Sequence, residues 1–171
     1  KSGVTAGLEA LLQESGIVCH VYDGTKPNPT VQNVEEATAM YRANGCQALI
    51  AFGGGSSMDC AKAVGARIAR PFKQIRRMRG ILQVLKPLPY LAAIPTTAGT
   101  AAEVTINYVI TDEESGRKMV CVDPNDIPVL AIIDAELMAS MPKGLTAATG
   151  MDALTHAIEG YITKGAWEMS D

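Results

Sequence analysis

Three groups of residues in this chain have types and spacings that could do chemistry. The first is Gly53-Gly54-Gly55-Ser56-Ser57-Met58-Asp59, set between an apolar run and a helical pattern. Glycines there let the backbone approach an anion, and the helix start behind them offers unpaired N–H groups and the positive end of a dipole. Ser56 is the expected N-cap, with Asp59 three residues on as its acidic partner in a capping box. The alternative is a tight strand-to-helix turn that holds no ligand. The run is not a P-loop, since no Lys-Ser/Thr pair follows, and Met58 stands where G-x-G-x-x-G needs its third glycine. The second group is Ile94-Pro95-Thr96-Thr97-Ala98-Gly99-Thr100. Its hydroxyls and glycine, at the carboxyl end of a strand, suit phosphate or ribose, and ligands of open α/β sheets bind along that edge. A threonine turn that satisfies its own backbone is the alternative. Two such turns on two parallel strands favour a shared anion site.

The third group is Asp152 and His156, four apart on a predicted helix and so on one face. A carboxylate oxygen and an imidazole nitrogen at that spacing suit one divalent metal. Leu154, Ile158 and Tyr161 form the apolar stripe of the same helix, with Glu159 joining Asp152 and His156 opposite. The pair therefore also reads as the wet face of an amphipathic helix. His20, inside an apolar run, reads as a structural histidine, and Lys118 as an exposed edge charge. No Ser-His-Asp or Cys-His arrangement is present.

The elements that must position these groups alternate. An amphipathic stretch around Leu8, Leu11 and Leu12 precedes a strand-like run at Ile17–Tyr22, then a Pro- and Gly-rich loop at Asp23–Thr30. The spacing predicts a helix over Val31–Asn44, with Val34, Thr38 and Tyr41 on one face. Buried strands are expected at Ala48–Phe52 and Tyr90–Ile94, the first followed by a helix over Ser56–Ala69. Arg67–Arg79, rich in arginine, reads as a solvated face or mobile connection. Val104–Thr111 and Lys118–Val122 flank a turn with Gly at its tip, a hairpin signal. Val129–Ile133 is the last apolar strand, and helices follow at Ala135–Met141 and Leu145–Tyr161. Strands alternating with helices mean an α/β domain with a mostly parallel sheet.

Composition bounds the function. With 47% hydrophobic and 19% charged residues in 171, the chain can bury a core, and its net charge of −3 offers no basic stripe for nucleic acid. Cys19, Cys46, Cys60 and Cys121 form no C-x-x-C pair and read as reduced core residues of a cytoplasmic protein. No run is long and apolar enough for a membrane span, and the opening residues show no signal-peptide pattern.

The stretches GGGSSMDCAKAVG (53–65), IPTTAGTAAEVTINYVITDEESGRKMVCVDP (94–124) and TAATGMDALTHAIEGYIT (146–163), with the loop YDGTKPNPT (22–30), resemble the iron-containing, group III alcohol dehydrogenases. The middle stretch is most like the lactaldehyde reductase branch. The resemblance implies a Rossmann-like domain at 1–134 that binds NAD(H), with NADP as the alternative. It places Gly54, Gly55 and Ser56 on the pyrophosphate, with Asp59 close by and Thr96, Thr97 and Thr100 lining the cofactor. Asn28, Val109 and Lys118 are implied as further cofactor contacts. The region 135–171 would begin an all-helical metal-binding domain, in which Asp152 and His156 match the first two of four ligands for iron(II), or zinc. The implied reaction is metal-assisted hydride transfer between a small alcohol and its aldehyde, with no catalytic side chain beyond the metal site. Homo-oligomers, often dimers, are usual in the family.

No histidine follows His156, and Lys1 opens the chain in a helical pattern without an initiating Met. The chain is therefore expected to be a fragment with little activity of its own. A glycerol dehydrogenase- or dehydroquinate synthase-like member of the superfamily, or a nucleotide-binding module without catalysis, are the competing readings.

Overall fold

A helix that packs on two sides at once needs small side chains, and GSSMDCAKAVGARIA supplies them. The computed structural model describes residues 4–168. In it α1 (Val4–Glu14) and α2 (Val31–Ala43) precede β1 (Ala48–Gly53) and α3 (Gly55–Ala69). Then come β2 (Gly80–Ile81), β3 (Tyr90–Pro95), the pair β4 (Asn107–Asp112) and β5 (Arg117–Val122), β6 (Leu130–Ala131) and α4 (Lys143–Ile162).

Among the described residues the strands form two sheets of three, ordered β1-β3-β6 and β2-β5-β4. The first is wholly parallel, as a β1–α3–β3 crossover requires. The second is mixed: β4 and β5 are an antiparallel hairpin, and β2 joins β5 in parallel. The anticipated hairpin thus lies outside the parallel sheet.

Helix α3 sits between the two. Towards the parallel sheet its Met58 packs with Ala51, Leu91, Ala93 and Ala102. Towards the hairpin Cys60, Ala63, Val64 and Ala66 pack with Val34 of α2 and with Tyr108, Ile110, Met119 and Cys121. A Cβ on Gly65 would fall 2.9 Å from Leu88 Cδ1, so even a methyl is crowded there.

Helix α2 starts in a reciprocal cap. Asn33 N–H donates to Thr30 Oγ1 and Thr30 N–H donates to Asn33 Oδ1, each at 3.2 Å. The Asn33 amide also donates to the Gly24 carbonyl at 3.1 Å, which ties the 22–30 loop onto the helix.

Several expectations need correction. Ile17–Tyr22 forms no strand, because it has no ladder partner among the described residues, and it leaves Ile17, Val18, Cys19 and His20 exposed. Cys46 is half-buried, so only Cys60 and Cys121 are core thiols; all four are free. Strand β1 is not buried on both faces, since Ile50 is exposed. Val129–Ile133 shortens to Leu130–Ala131, and Ala135–Met141 to a 3-10 turn at Ala135–Met138 that starts on the Asp134 side chain. The basic stretch 67–79 is tied down. Ile75 and Met78 anchor a 3-10 turn in the core, Arg67 pairs with Glu35 at 2.9 Å, and Arg76 pairs with Asp112 at 2.8 Å. After β6 the described residues hold no further strand, and no helix is long and apolar enough to cross a membrane.

Ala63 has no solvent exposure. An Ala63→Leu change should overpack α3 and lower unfolding free energy by about 1–3 kcal/mol, read as a reduced urea midpoint with an unchanged m-value.

Candidate functional site

Helix α3 begins at an uncapped end. Gly53 has φ +139, in the region open to glycine, and a Cβ there would lie 2.5 Å from Ser57 Oγ. The N-cap is Gly54 in extended conformation, with no side chain bonded to the first turn. The capping box anticipated from Ser56 and Asp59 is therefore absent. The helix starts before Ser56, and the Asp59 carboxylate instead accepts the Val109 N–H. The Ser57 N–H already donates to the Gly54 carbonyl at 2.9 Å, which leaves the N–H groups of Gly55 and Ser56 without a capping side chain and open to an anion.

Pairing of β1 with β3 brings the two polar turns together. Thr96 N–H donates to the Gly53 carbonyl at 2.8 Å. A Cβ on Gly54 would meet Thr97 Oγ1 at 3.3 Å, and one on Gly55 would meet Thr100 Oγ1 at 3.3 Å. Two glycines thus let the threonine turn lie against the helix start. Beside them runs a cleft of ≈ 670 Å³, walled by Gly55, Ser56 and Asp59 on α3, by the turn at Gly99–Ala102, and by Thr105, Asn107 and Val109 leading into the hairpin. Asp152, Ala153 and His156 of α4 close its far wall.

Of the residues singled out from sequence, Gly55, Ser56, Asp59, Thr100, Val109, Asp152 and His156 line this cleft. Gly54, Thr96 and Thr97 stand in the turns that border it. Asn28, at φ +56, brings its N–H within 3.4 Å of Ser56 Oγ. Lys118 lies apart from the cleft lining, exposed on β5 across from Thr111.

Asp152 Oδ2 is 3.7 Å from His156 Nε2, and Glu159 Oε2 is 3.9 Å from His156 Nδ1. Helix α4 buries none of its residues, so its apolar stripe (Leu154, Ile158, Tyr161) is as exposed as its polar one. The Asp152–His156 side borders the cleft and is itself exposed. An oxygen and an imidazole donor one turn apart fit a divalent first-row cation. Among the described residues no group of three or more His, Cys, Asp or Glu that could hold a metal ion is found.

Sequence reasoning missed the groups beneath the cleft. Lys62 is fully buried, and its ammonium donates to the Thr105 carbonyl at 2.7 Å, Thr105 Oγ1 at 3.0 Å and the Asn107 carbonyl at 3.0 Å. Burial lowers it to about 8, against the pull of Asp59, Asp126 and Glu103. Burial raises Asp59 to about 6, opposed by the Val109 N–H and Lys62. Asp126, wholly buried without a well-formed hydrogen bond to its carboxylate, is raised to about 7 by burial and by neighbouring Asp123. The available signal for Lys62 was a charge four residues after Met58 and four before Ala66, on the buried stripe of α3. Gly99 was another missed contact: at φ +126, a Cβ there would come within 2.3 Å of the Thr149 carbonyl of α4.

Comparison with known proteins gives a consistent result. Residues 1–135 match the family model of iron-containing alcohol dehydrogenase. Lactaldehyde reductase of Escherichia coli (strain K12) is 54% identical over 170 residues, covering 99% of this chain and 44% of that protein. The crystal structure of 1,3-propanediol oxidoreductase superposes with a TM-score of 0.93 at 41% identity, covering 100% of this chain and 44% of that one. A sulfoacetaldehyde reductase from Bifidobacterium kashiwanohense, solved in complex with NAD+, gives a TM-score of 0.82 at 37% identity over 95% of this chain and 44% of its own. The chain thus spans less than half the length of these relatives.

Two outcomes test the site geometry. Gly99→Ala should push the threonine turn off α4 and cost roughly 2 kcal/mol or more, seen as a lowered urea midpoint. Asp126 binds its proton more tightly folded than unfolded, so the stability it lends is present below about pH 4 and is lost as pH rises through about 7. Denaturation of Asp126→Asn across pH 4–8 should show a smaller decline in stability with rising pH than the native chain, and an equal decline would refute the assignment.

Proposed function

The chain belongs to the iron-containing alcohol dehydrogenase family, and from that premise we propose that it carries the NAD(H)-binding part and half of the metal site of an oxidoreductase. The reaction is interconversion of a small primary alcohol and its aldehyde, of the lactaldehyde and 1,2-propanediol type. The observation that carries the reading is that the glycine turn, the threonine turn and the Asp152–His156 pair border one cleft. The name and identity of the lactaldehyde reductase relative support the substrate class. The NAD+ bound to the sulfoacetaldehyde reductase supports NAD(H) over NADP.

Residues 1–134 form the dinucleotide domain in this reading, and 135–171 open a helical metal-binding domain completed by a longer polypeptide. N–H groups of Gly55 and Ser56, with Gly54 leaving room, bind the pyrophosphate. Hydroxyls of Thr96, Thr97 and Thr100 orient the phosphate and ribose side, and Asn28 covers the turn through its contact with Ser56. Asp59 fixes Val109 through its N–H, so that the Val109 side chain bounds the nicotinamide end. Lys118 would reach the cofactor only from its outer position on β5. Asp152 and His156 hold the divalent ion, iron(II) or zinc, by one oxygen and one nitrogen. When bound, the ion supplies Lewis-acid polarisation of the substrate oxygen and the nicotinamide supplies the hydride. What the protein residues contribute is alignment of donor and acceptor, and no side-chain nucleophile is needed. A cytoplasmic homo-oligomer, such as a dimer, fits the reading.

In the full-length protein, Asp152→Ala and His156→Ala should each lower kcat/KM for lactaldehyde about 100-fold or more and reduce bound metal, with NADH fluorescence binding retained. A metal-free protein with full turnover would refute the proposal, and nucleotide binding without metal would favour a non-catalytic module.

A further inference from the structure

Strand β4 is an edge strand, and three of its outward backbone groups find partners outside the sheet. The Thr111 N–H donates to the Pro29 carbonyl at 2.8 Å. The Val109 N–H donates to the Asp59 carboxylate. The Asn107 carbonyl accepts from the Lys62 ammonium at 3.0 Å, which also holds the Thr105 carbonyl at 2.7 Å. Asp59 and Lys62 are one turn apart on α3, so a single helix presents an acceptor where the strand needs one and a donor where the strand offers a carbonyl.

We propose that Lys62 is a positioning residue for the hydride-transfer site: with Asp59 it clamps β4 and the segment before it, holding Thr105, Asn107 and Val109 in fixed register with the glycine turn. Burying an ammonium costs several kcal/mol, and an apolar side chain of similar volume would fill the space at less cost. The charge is instead kept, and every hydrogen bond it makes goes to the 105–107 segment that walls the cleft. The carboxylates of Asp59, Asp126 and Glu103 offset it electrostatically without taking those bonds. The same helix begins at the glycine turn. From Gly55 to Lys62 it spans about 10 Å at 1.5 Å per residue, a rigid spacer between the phosphate end and the reacting end of the cleft. Hydride transfer falls off steeply with misplacement, so loosening this spacer should strike the chemical step before cofactor affinity.

This inference rests on the dehydrogenase reading, and the test separates the two. Lys62→Met and Lys62→Gln are made in the full-length metal-loaded enzyme and compared with wild type in aldehyde reduction, NADH fluorescence binding and circular dichroism. The clamp predicts that Lys62→Met stays folded, binds NADH within about threefold of wild type and loses about tenfold or more in kcat, while Lys62→Gln, which retains N–H donors, recovers part of the loss. Unchanged kcat in Lys62→Met overturns it. So does a fall in NADH affinity as large as the fall in kcat, and so does failure of both variants to fold, which would make Lys62 a folding residue. Inactive wild-type enzyme would instead sink the dehydrogenase reading itself, and the clamp's catalytic role with it.

Discussion

Everything in this chain depends on α3 being packed from both sides. A helix between a parallel sheet and a β-hairpin needs small residues where the elements approach most closely, and Ala63, Gly65 and Ala66 supply them, while Met58 and Lys62 each reach into a neighbouring layer. Because α3 follows β1 directly, its N-terminus lies at the carboxyl edge of the parallel sheet. The uncapped first turn and the alanine- and glycine-lined contacts further along are parts of one element.

The site was legible in the sequence where local chemistry decides it. Glycines between an apolar strand and a helix, threonines after a second strand, and an acid and a histidine one turn apart all announce themselves by type and spacing. Their convergence on one cleft is a property of the β1–β3 register, and of α4 lying against the threonine turn. What failed were assignments that a remote partner could override. Ser56 and Asp59 looked like a capping pair, but Asp59 is claimed by Val109 from a strand far along the chain, and Gly54 takes the cap unaided. The run at Ile17–Tyr22 has strand composition, yet a strand exists only where another strand pairs with it. The basic stretch 67–79 looked solvated because its partners, Glu35 and Asp112, come from other elements.

Burial sorted the charged residues in a way composition could not. Lys62 and Asp126 sit in the interior, and both are displaced toward neutrality; Lys118, whose resemblance-based role was sharper, stands on the surface. Local patterns place a charge on a helix face or a strand edge without saying whether a second layer will cover it. Here that layer is the hairpin for Lys62, whereas Lys118 is exposed among the described residues.

The threonine turn touches two things at once. Thr97 and Thr100 rest on the glycines of α3, while Gly99 lets the backbone approach the Thr149 carbonyl of α4, one turn before Asp152. The turn therefore works as a thickness gauge between the cleft wall built on the glycines of α3 and the wall that carries Asp152 and His156. In the proposed reading, an occupant of one wall that displaced the gauge would shift the other, and thermodynamic reciprocity would link the two occupancies by the same factor in both directions.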